Sequence, residues 1–509
     1  MNFDETAHPR AIDGRFAEKN GARPEVHLAT ARYERGLVPL TDTAQQILAA
    51  CREAGGKPLL VGGAVRDALR GDANGAGHDI DIEVHGVDRL STLTPYLDKV
   101  GAVSEVGASF GVLKVSAKDG EYDVAVPRRE SRTGVGHRAF DVVVDPSLSI
   151  RDAFARRDFT INAIGWEPET GEVIDPFGGE QDLAAGVLRH TSDAFADDPL
   201  RVLRGVQMAA RFDLEMHPET IAMCRGIKDR FSELSVERVY VELTKLAEAD
   251  QPSAGLRVLK ETGWVEHFPE LHATIGLPQD KKWHPEADVY EHQSQAADVA
   301  ARLAAARGIE GADRVVVVLA AMLHDVGKAT TTITHPDGRI TSAGHAEEGT
   351  QMAVSLLSRA GFPQAIQKRV APLISEHMFL HSWQKVGKTG DAALRRLTRR
   401  LEPATLEEWA IVNEADVRGR SGAHSAAQKR QEQEAVPQTS AWTWVARSRE
   451  IDAYRPVADI LRGEHLKAAG MTPGPAFRPI LDAAREAQDD GLFSTEAGAV
   501  AWLQNHLSL

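Results

Sequence analysis

The chain has 509 residues, 42% of them hydrophobic and 26% charged, and a formal net charge of −15. That length accommodates several cores, roughly three or four domains, and no apolar run reaches the ~18 residues of a membrane span. Two distant cysteines, Cys51 and Cys224, exclude a disulfide framework and fit a reducing cytoplasm, while the acidic balance argues against a uniformly basic surface but leaves room for a local basic groove.

Residues 1–40 read as an arm, polar and poorly periodic over 1–28 and without the apolar core of a signal peptide. Thr41 opens a capped amphipathic helix that runs to Ala54. Strands and helices then alternate: PLLVG is a strand, AVRDALR a helix, DIDIEV a strand, RLSTLTPYLDKV a helix, and GVLKVSA and EYDVAV are strands. The mixture predicts an α+β head over 41–175, a small mixed β-sheet with helices on one side. Past about residue 180 the strand signal fades. Apolar residues recur at helical spacing through 176–275, predicting an all-α region. A second all-α region, rich in histidine, spans 276–425 and contains RVVVVLAAML as a buried helix. Residues 426–509 read as a linker and a helical tail with a turn at Met471-Thr472-Pro473-Gly474-Pro475; the stretch 421–440 is rich in Ser, Ala, Gln and Lys.

The chemistry-bearing motifs begin at Gly62-Gly63-Ala64-Val65-Arg66-Asp67. Gly62 and Gly63 let backbone approach a triphosphate. The helix that follows points its first N–H groups at the anion, and Arg66, one turn in, offers a charged fork. Asp79 and Asp81 lie two apart on a strand and share a face, with Ile80, Ile82 and Val84 on the other. Two carboxylates beside a phosphate cradle suit a pair of Mg²⁺ ions and nucleotidyl transfer to a 3′-hydroxyl. Glu83 extends the acid face past the ions, and Asp123, in EYDVAV, is a candidate third carboxylate.

Arg156-Arg157-Asp158-Phe159-Thr160-Ile161-Asn162-Ala163 suits phosphate or ribose contacts. Asp197-Asp198-Pro199-Leu200-Arg201-Val202-Leu203-Arg204 puts acids at a helix start and Arg201 and Arg204 on one face. Such acids are often only caps. An Asp and an Arg one turn apart also match the donors and acceptors of a base's Watson–Crick edge. Basic pairs occur at Arg128-Arg129, Arg156-Arg157, Lys281-Lys282, Arg395-Arg396 and Arg399-Arg400; such clusters are commonly solvated faces.

GGAVRD, DID, RRDFTINA, DPFGG and AFADDPLRVLR, in this order over residues 58 to about 275, resemble the bacterial CCA-adding tRNA nucleotidyltransferases, of the class II group that includes bacterial poly(A) polymerases. The resemblance implies that Gly63 and Arg66 touch the nucleotide, that Asp79 and Asp81 bind Mg²⁺, and that Arg157 and Arg204 bind ATP or CTP. Asp198 and Arg201 then act as a protein template that selects C and then A on a tRNA 3′ end. Two positions depart from the family: Asp197 stands where relatives have Glu, and Gln207 where they carry a nucleotide-contacting arginine. The loop 127–148 is full length, which in the family goes with adding the terminal A.

In the histidine-rich region, His292, the pair His324-Asp325 at the end of the buried helix, and Asp416 form a set suited to a transition metal or Mg²⁺. An Asp on an apolar helix needs a partner. His345, His377 and His381 are candidates for a second metal position. KWHPEADVYEHQ, LHDVGK, GHAEEG and EADVRGR together resemble the HD phosphohydrolase domain attached to some bacterial CCA-adding enzymes, implying 2′,3′-cyclic phosphodiesterase and phosphatase activity on tRNA 3′ ends. The expected whole is an α+β nucleotidyltransferase head, an all-α neck and body, an all-α HD domain and a helical tail. Its expected partners are tRNA, CTP and ATP. The alternatives are a poly(A) polymerase, a CC-only or A-only enzyme of the same fold, or an HD hydrolase whose head only binds RNA.

Overall fold

The structure, a computed structural model, describes residues 36–72, 80–105, 112–132, 140–280, 288–380, 390–420 and 441–507. Asp79, Lys281, Lys282, His381, the arm as far as residue 35 and the stretch 421–440 lie outside the described residues. The chain divides into two units, one ending at Ser192 and the other beginning at Asp193.

In the first unit, helix α1 (Asp42–Glu53) starts where the Thr41 hydroxyl accepts the Ala44 N–H, and it buries Ile47, Leu48 and Cys51. Strand β1 (Lys57–Val61) follows, then α2 (Gly63–Leu69) and β2 (Asp81–His85). After α3 (Thr94–Leu97) come β3 (Ala102–Glu105), β4 (Val112–Ala117), β5 (Gly120–Ala125), β6 (Arg128–Arg132), β7 (Phe140–Val144), α4 (Ile150–Ala155), β8 (Gly165–Glu167), β9 (Glu172–Ile174) and α5 (Gly179–Ala185). Seven strands make one sheet in the order β3-β4-β5-β2-β1-β8-β9. The β2–β5 pair is parallel and the rest are antiparallel, so the sheet is mixed, as the sequence pattern predicts. Leu59 and Val61 of β1 pack on Ala153, Phe154 and Ala163, which anchors α4 and the turn after it to the sheet centre.

Two local readings differ from the pattern. The expected helix over RLSTLTPYLDKV is only a 3₁₀ turn, Leu90–Thr92, and the single helical turn α3. Thr92 and Thr94 are β-branched, and Pro95 cannot donate to a longer ladder. The segment 127–148, read as a loop, carries the hairpin β6–β7, paired from Arg128 opposite Val144 to Arg132 opposite Phe140.

The second unit is helical. Helix α6 (Leu200–Phe212) is followed by α7 (Pro218–Gly226), α8 (Val236–Glu248), α9 (Pro252–Glu261) and α10 (Pro269–His272), and α6 packs on α8 and α9. Next come α11 (Val289–Ala305), α12 (Gly311–Leu323), α13 (Lys328–Thr331), α14 (His345–Arg359) and α15 (Gln364–Ser375). Helix α11 lies against α12 and the helix Leu406–Gly419, and is therefore buried almost all round. That last helix begins with a capping box between Thr405 and Glu408. In the tail, Leu461, Leu466, Ala484, Ala487, Phe493, Ala499 and Leu503 form a separate small core. Among the described residues no helix is long and apolar enough to cross a membrane.

Candidate functional site

The first site forms where β1 ends. Asp81 is paired with Val61 on one side and lies in register with Asp123 on the parallel strand β5. Both aspartates are exposed while Ile82 and Val124 beside them are buried. Alternation therefore stands the two carboxylates on one open face. Asp123, a candidate from sequence, is the carboxylate next to Asp81.

Gly62 turns the chain from β1 into α2 with φ +77° and ψ −132°. The positive φ demands glycine, and a Cβ there would press on Arg157 Nη1 at 3.1 Å and Asp81 Oδ2 at 3.3 Å. Arg157 thus reaches across the turn to the aspartate face. Its Nε is buried without a hydrogen-bond partner, and its guanidinium lies over the Phe154 ring at 5.3 Å.

Arg66 is buried, donating from Nε and Nη2 to the Asp67 carboxylate at 2.8 and 2.9 Å and from Nη1 to Asn162 Oδ1 at 2.6 Å. Asn162 in turn donates to Asp158 Oδ1 at 2.9 Å. The RRDFTIN segment therefore fixes Arg66 through Asn162 and Asp158, a role the sequence did not reveal. Glu83, expected to extend the acid face, is instead buried: Oε1 lies 3.0 Å from His85 Nε2, and Oε2 lies 3.5 Å from Nη2 of both Arg156 and Arg157. Burial opposes its ionisation, but His85, Arg157 and Arg156 outweigh that and hold the carboxyl down at about 2.

In the second unit, Asp198 stands just before α6. Its Oδ1 accepts the Leu200 N–H at 3.0 Å and its Oδ2 accepts from Arg238 at 2.7 Å. Arg201 donates to the Ala194 carbonyl at 2.8 Å, and Arg201 and Arg204 lie half-buried on one face of the helix. One turn further on, Gln207 is buried and its Oε1 has no hydrogen-bond partner. Arg230 secures the loop before α6 through the carbonyls of Ala196 and Asp197. Arg230 and Arg238 come from elements that no motif flagged.

The histidine cluster is built from five separate segments. His292 on α11, His324-Asp325 after α12, and Asp416 on the helix Leu406–Gly419 converge: His292 Nε2 lies 3.2 Å from His324 Nε2, 3.1 Å from Asp416 Oδ1 and 3.7 Å from Asp325 Oδ2. His324 Nε2 lies 3.3 Å from Asp325 Oδ2. The other oxygen, Oδ1, faces His345 at 3.2 Å and His377 at 3.8 Å, and those two Nε2 atoms are 3.1 Å apart. Asp325 therefore joins two triads, each able to hold one cation. His381, the remaining candidate, lies outside the described residues.

The donor chemistry fits a metal. His324, His345 and His377 each give their Nδ1–H to a backbone carbonyl, of Ala321, Ser342 and Ile374, which turns the Nε2 atoms inward. Facing lone pairs at 3.1 Å, as on His345 and His377, repel unless a cation lies between them. Burial disfavours charge on His324, yet Asp325 and Asp416 overcome it and raise its pKa to about 10. Burial and the charge on His324 push His377 down to about 3. Asp325 and Asp416 are held well below the usual carboxylate range by Lys328 and Arg420, against the cost of burial, with help from the histidines. Lys328 Nζ lies 2.7 Å from Asp325 Oδ2, and Arg420 forks onto Asp416 at 2.6 and 3.3 Å. The LHDVGK and EADVRGR strings contain both cations, but sequence alone did not assign them.

Three family models match the chain: the poly A polymerase head domain over residues 59–189, a probable RNA and SrmB-binding site of polymerase A over 213–275, and the HD domain over 289–419. The multifunctional CCA protein of Xanthomonas campestris pv. campestris is 38% identical over 378 residues, covering 73% of this chain and 87% of that one. The multifunctional CCA protein of Nitrosococcus oceani is 34% identical over 367 residues, 71% of this chain and 85% of its own. Among solved structures, the Bacillus stearothermophilus CCA-adding enzyme in complex with CTP aligns over 92% of this chain and 98% of its own, with a TM-score of 0.57 at 20% identity. The Thermotoga maritima CCA-adding enzyme complexed with tRNA aligns over 91% and 94%, with a TM-score of 0.53 at 19% identity. At those identities the structures speak for the fold.

Proposed function

The chain belongs to the multifunctional CCA protein family, and from that premise we propose two chemistries: template-independent addition of CCA to tRNA 3′ ends from CTP and ATP, and hydrolysis of 2′,3′-cyclic phosphates and phosphomonoesters at the HD site. Divalent-metal dependence goes with both matched domains. We assign Mg²⁺ to Asp79 and Asp81, with Asp123 as the third carboxylate, and a transition metal or Mg²⁺ to His292, His324, Asp325 and Asp416, with His345 and His377 for a second ion. The assigned regions are a head over 41–175, a nucleotide-selecting and tRNA-binding region over 176–275, and an HD domain over 276–425. The two cysteines are buried free thiols, in keeping with a cytoplasmic enzyme.

The observation that carries the first reading is the register of Asp81 beside Asp123 at the Gly62 turn, with Arg157 across it. When bound there, Mg²⁺ would supply positive charge that lowers the pKa of a ribose hydroxyl and offsets the negative charge of the triphosphate. Gly62 and Gly63 leave room for the phosphates, and Arg157 holds them. Arg66, braced by Asp67 and Asn162, sets the first turn of α2 whose N–H groups face the anion. In the second unit, by the family resemblance, Asp198 accepts and Arg201 donates at the Watson–Crick edge of a base, and Arg204 binds ATP or CTP. At the second site a cation, once held, would supply Lewis acidity for hydrolysis at phosphorus, and Lys328 and Arg420 keep Asp325 and Asp416 ionised to receive it.

The test incubates the protein with tRNA ending at the discriminator base, Mg²⁺, and CTP or ATP singly and together. Growth by CC with CTP alone, then by one A with both, is expected. Long A tails from ATP alone would instead identify a poly(A) polymerase. Asp81→Ala should abolish extension and spare cyclic phosphodiesterase activity, and Asp325→Ala should do the reverse. Extension that survives Asp81→Ala would remove the metal assignment, and loss of both activities in either variant would mean one shared site.

A further inference from the structure

Glu83 is 1% exposed, yet it shares a strand face with Asp81, which is open to solvent. The difference is what lies on top: Arg156 and Arg157, consecutive residues after α4, both turn Nη2 toward Glu83 Oε2. A carboxylate buried without partners would be strongly disfavoured; here it sits between two like charges that would otherwise repel each other. We propose that Glu83 is a positioning residue for nucleotidyl transfer: it tethers the Arg157 guanidinium beside Gly62 and Asp81, where the triphosphate binds. The proposal rests on the assignment of Arg157 to the nucleotide.

The tether is loose in a useful way. Arg157 is held at 3.5 Å by Glu83 and at 3.5 Å by the Asn162 carbonyl, and its Nε has no partner. Arg66, by contrast, spends three N–H groups in bonds of 2.9 Å or less to Asp67 and Asn162. Arg157 therefore keeps donors to give to an anion, while Glu83 prevents the guanidinium from swinging away with Arg156. His85, 3.0 Å from the other oxygen, keeps Glu83 from turning toward Asp81. Glu83 itself touches no reacting atom.

The test measures CTP incorporation into tRNA lacking CCA with the full-length protein. Glu83→Gln keeps the shape and removes the charge. It is expected to raise KM for CTP about tenfold, the equivalent of one charge-assisted contact, with kcat changed much less. Arg157→Ala should raise KM similarly, and the double variant should be no worse than Arg157→Ala alone. Glu83→Asp keeps the charge and should hold KM within about threefold. Cyclic phosphodiesterase activity in the same preparations is expected to stay at its parental value. Additive effects of the two substitutions, a Glu83→Asp defect equal to that of Glu83→Gln, or a changed Mg²⁺ requirement would overturn the positioning role. An unchanged KM in Arg157→Ala would instead overturn the nucleotide assignment of Arg157, and the proposal with it.

Discussion

Asp325 gives one carboxylate oxygen to each half of the histidine cluster: Oδ2 is 3.3 Å from His324 Nε2 and Oδ1 is 3.2 Å from His345 Nε2. Removing it should empty both halves, whereas removing His377 should empty only the second. Elemental analysis after saturation with Mn²⁺ or Ni²⁺ and desalting should find no more than background in Asp325→Ala and one ion fewer than the parent in His377→Ala; equal loss in both variants would mean one cation rather than two. Arg420 clamps Asp416 from outside the cluster, and Arg420→Met should weaken metal affinity by about 10–100-fold, as loss of an outer partner does elsewhere. The sign of the pH effect follows from His324. Without metal its pKa is raised to about 10, so it carries a proton at neutral pH that the incoming cation must displace. Metal uptake should therefore release a proton, and apparent affinity should rise with pH between about 6 and 9. Calorimetry in buffers of different ionisation enthalpy reads that proton directly, and a buffer-independent enthalpy would refute it.

At the scale of elements, much of the site was legible because periodicity carries it. The strand that opens at Asp81, the glycine turn and the apolar helix ending in His324-Asp325 each announce themselves within a dozen residues. What could not be read is what depends on distant pairing: Glu83 meets arginines more than seventy positions away, and nothing in DIDIEV distinguishes a solvated acid from a covered one. The misread helix at 89–100 failed for a local reason, since its apolar residues keep helical spacing while Pro95 and the threonines deny the backbone. Gly327 shows how close the elements of the HD site pack. A Cβ there would lie 2.1 Å from the His345 carbonyl oxygen and 2.4 Å from the Gly349 nitrogen, both backbone atoms that cannot yield without moving α14. Gly327→Ala is expected to cut phosphodiesterase activity at least about 100-fold through a shifted His345, with CCA addition retained. Normal activity of both kinds would mean that α13 and α14 can part at no cost to the cluster.

Across the whole molecule the question is how a chain of net charge −15 holds a polyanion. In the sequence, Arg395, Arg396, Arg399 and Arg400 form a basic cluster, commonly no more than a solvated face. In the structure each is engaged within the protein: Arg395 with the Asp489 carbonyl, Arg396 with Asp490, Arg399 with Asp459 and Asp489, and Arg400 with Glu376. Arg395, Arg396 and Arg399 fasten the tail, Arg400 holds Glu376, and the cluster's charge is largely cancelled where it stands. Composition could not reveal this, because the acids that neutralise it lie on both sides in the chain, from Glu376 to Asp490. Two outcomes separate fastening from RNA binding. Arg399→Ala leaves the Asp489 carboxylate buried without its ion-pair partner and should destabilise the protein by about 3–5 kcal/mol in denaturant unfolding. Arg396→Ala with Arg400→Ala should leave tRNA affinity within about twofold and the slope of log affinity against log salt unchanged, since each lost phosphate contact would flatten that slope by roughly 0.7–0.9. A flatter slope with unchanged stability would return these arginines to the RNA. The expected result instead leaves any tRNA contact to a local potential elsewhere on the chain, which a negative net charge does not forbid.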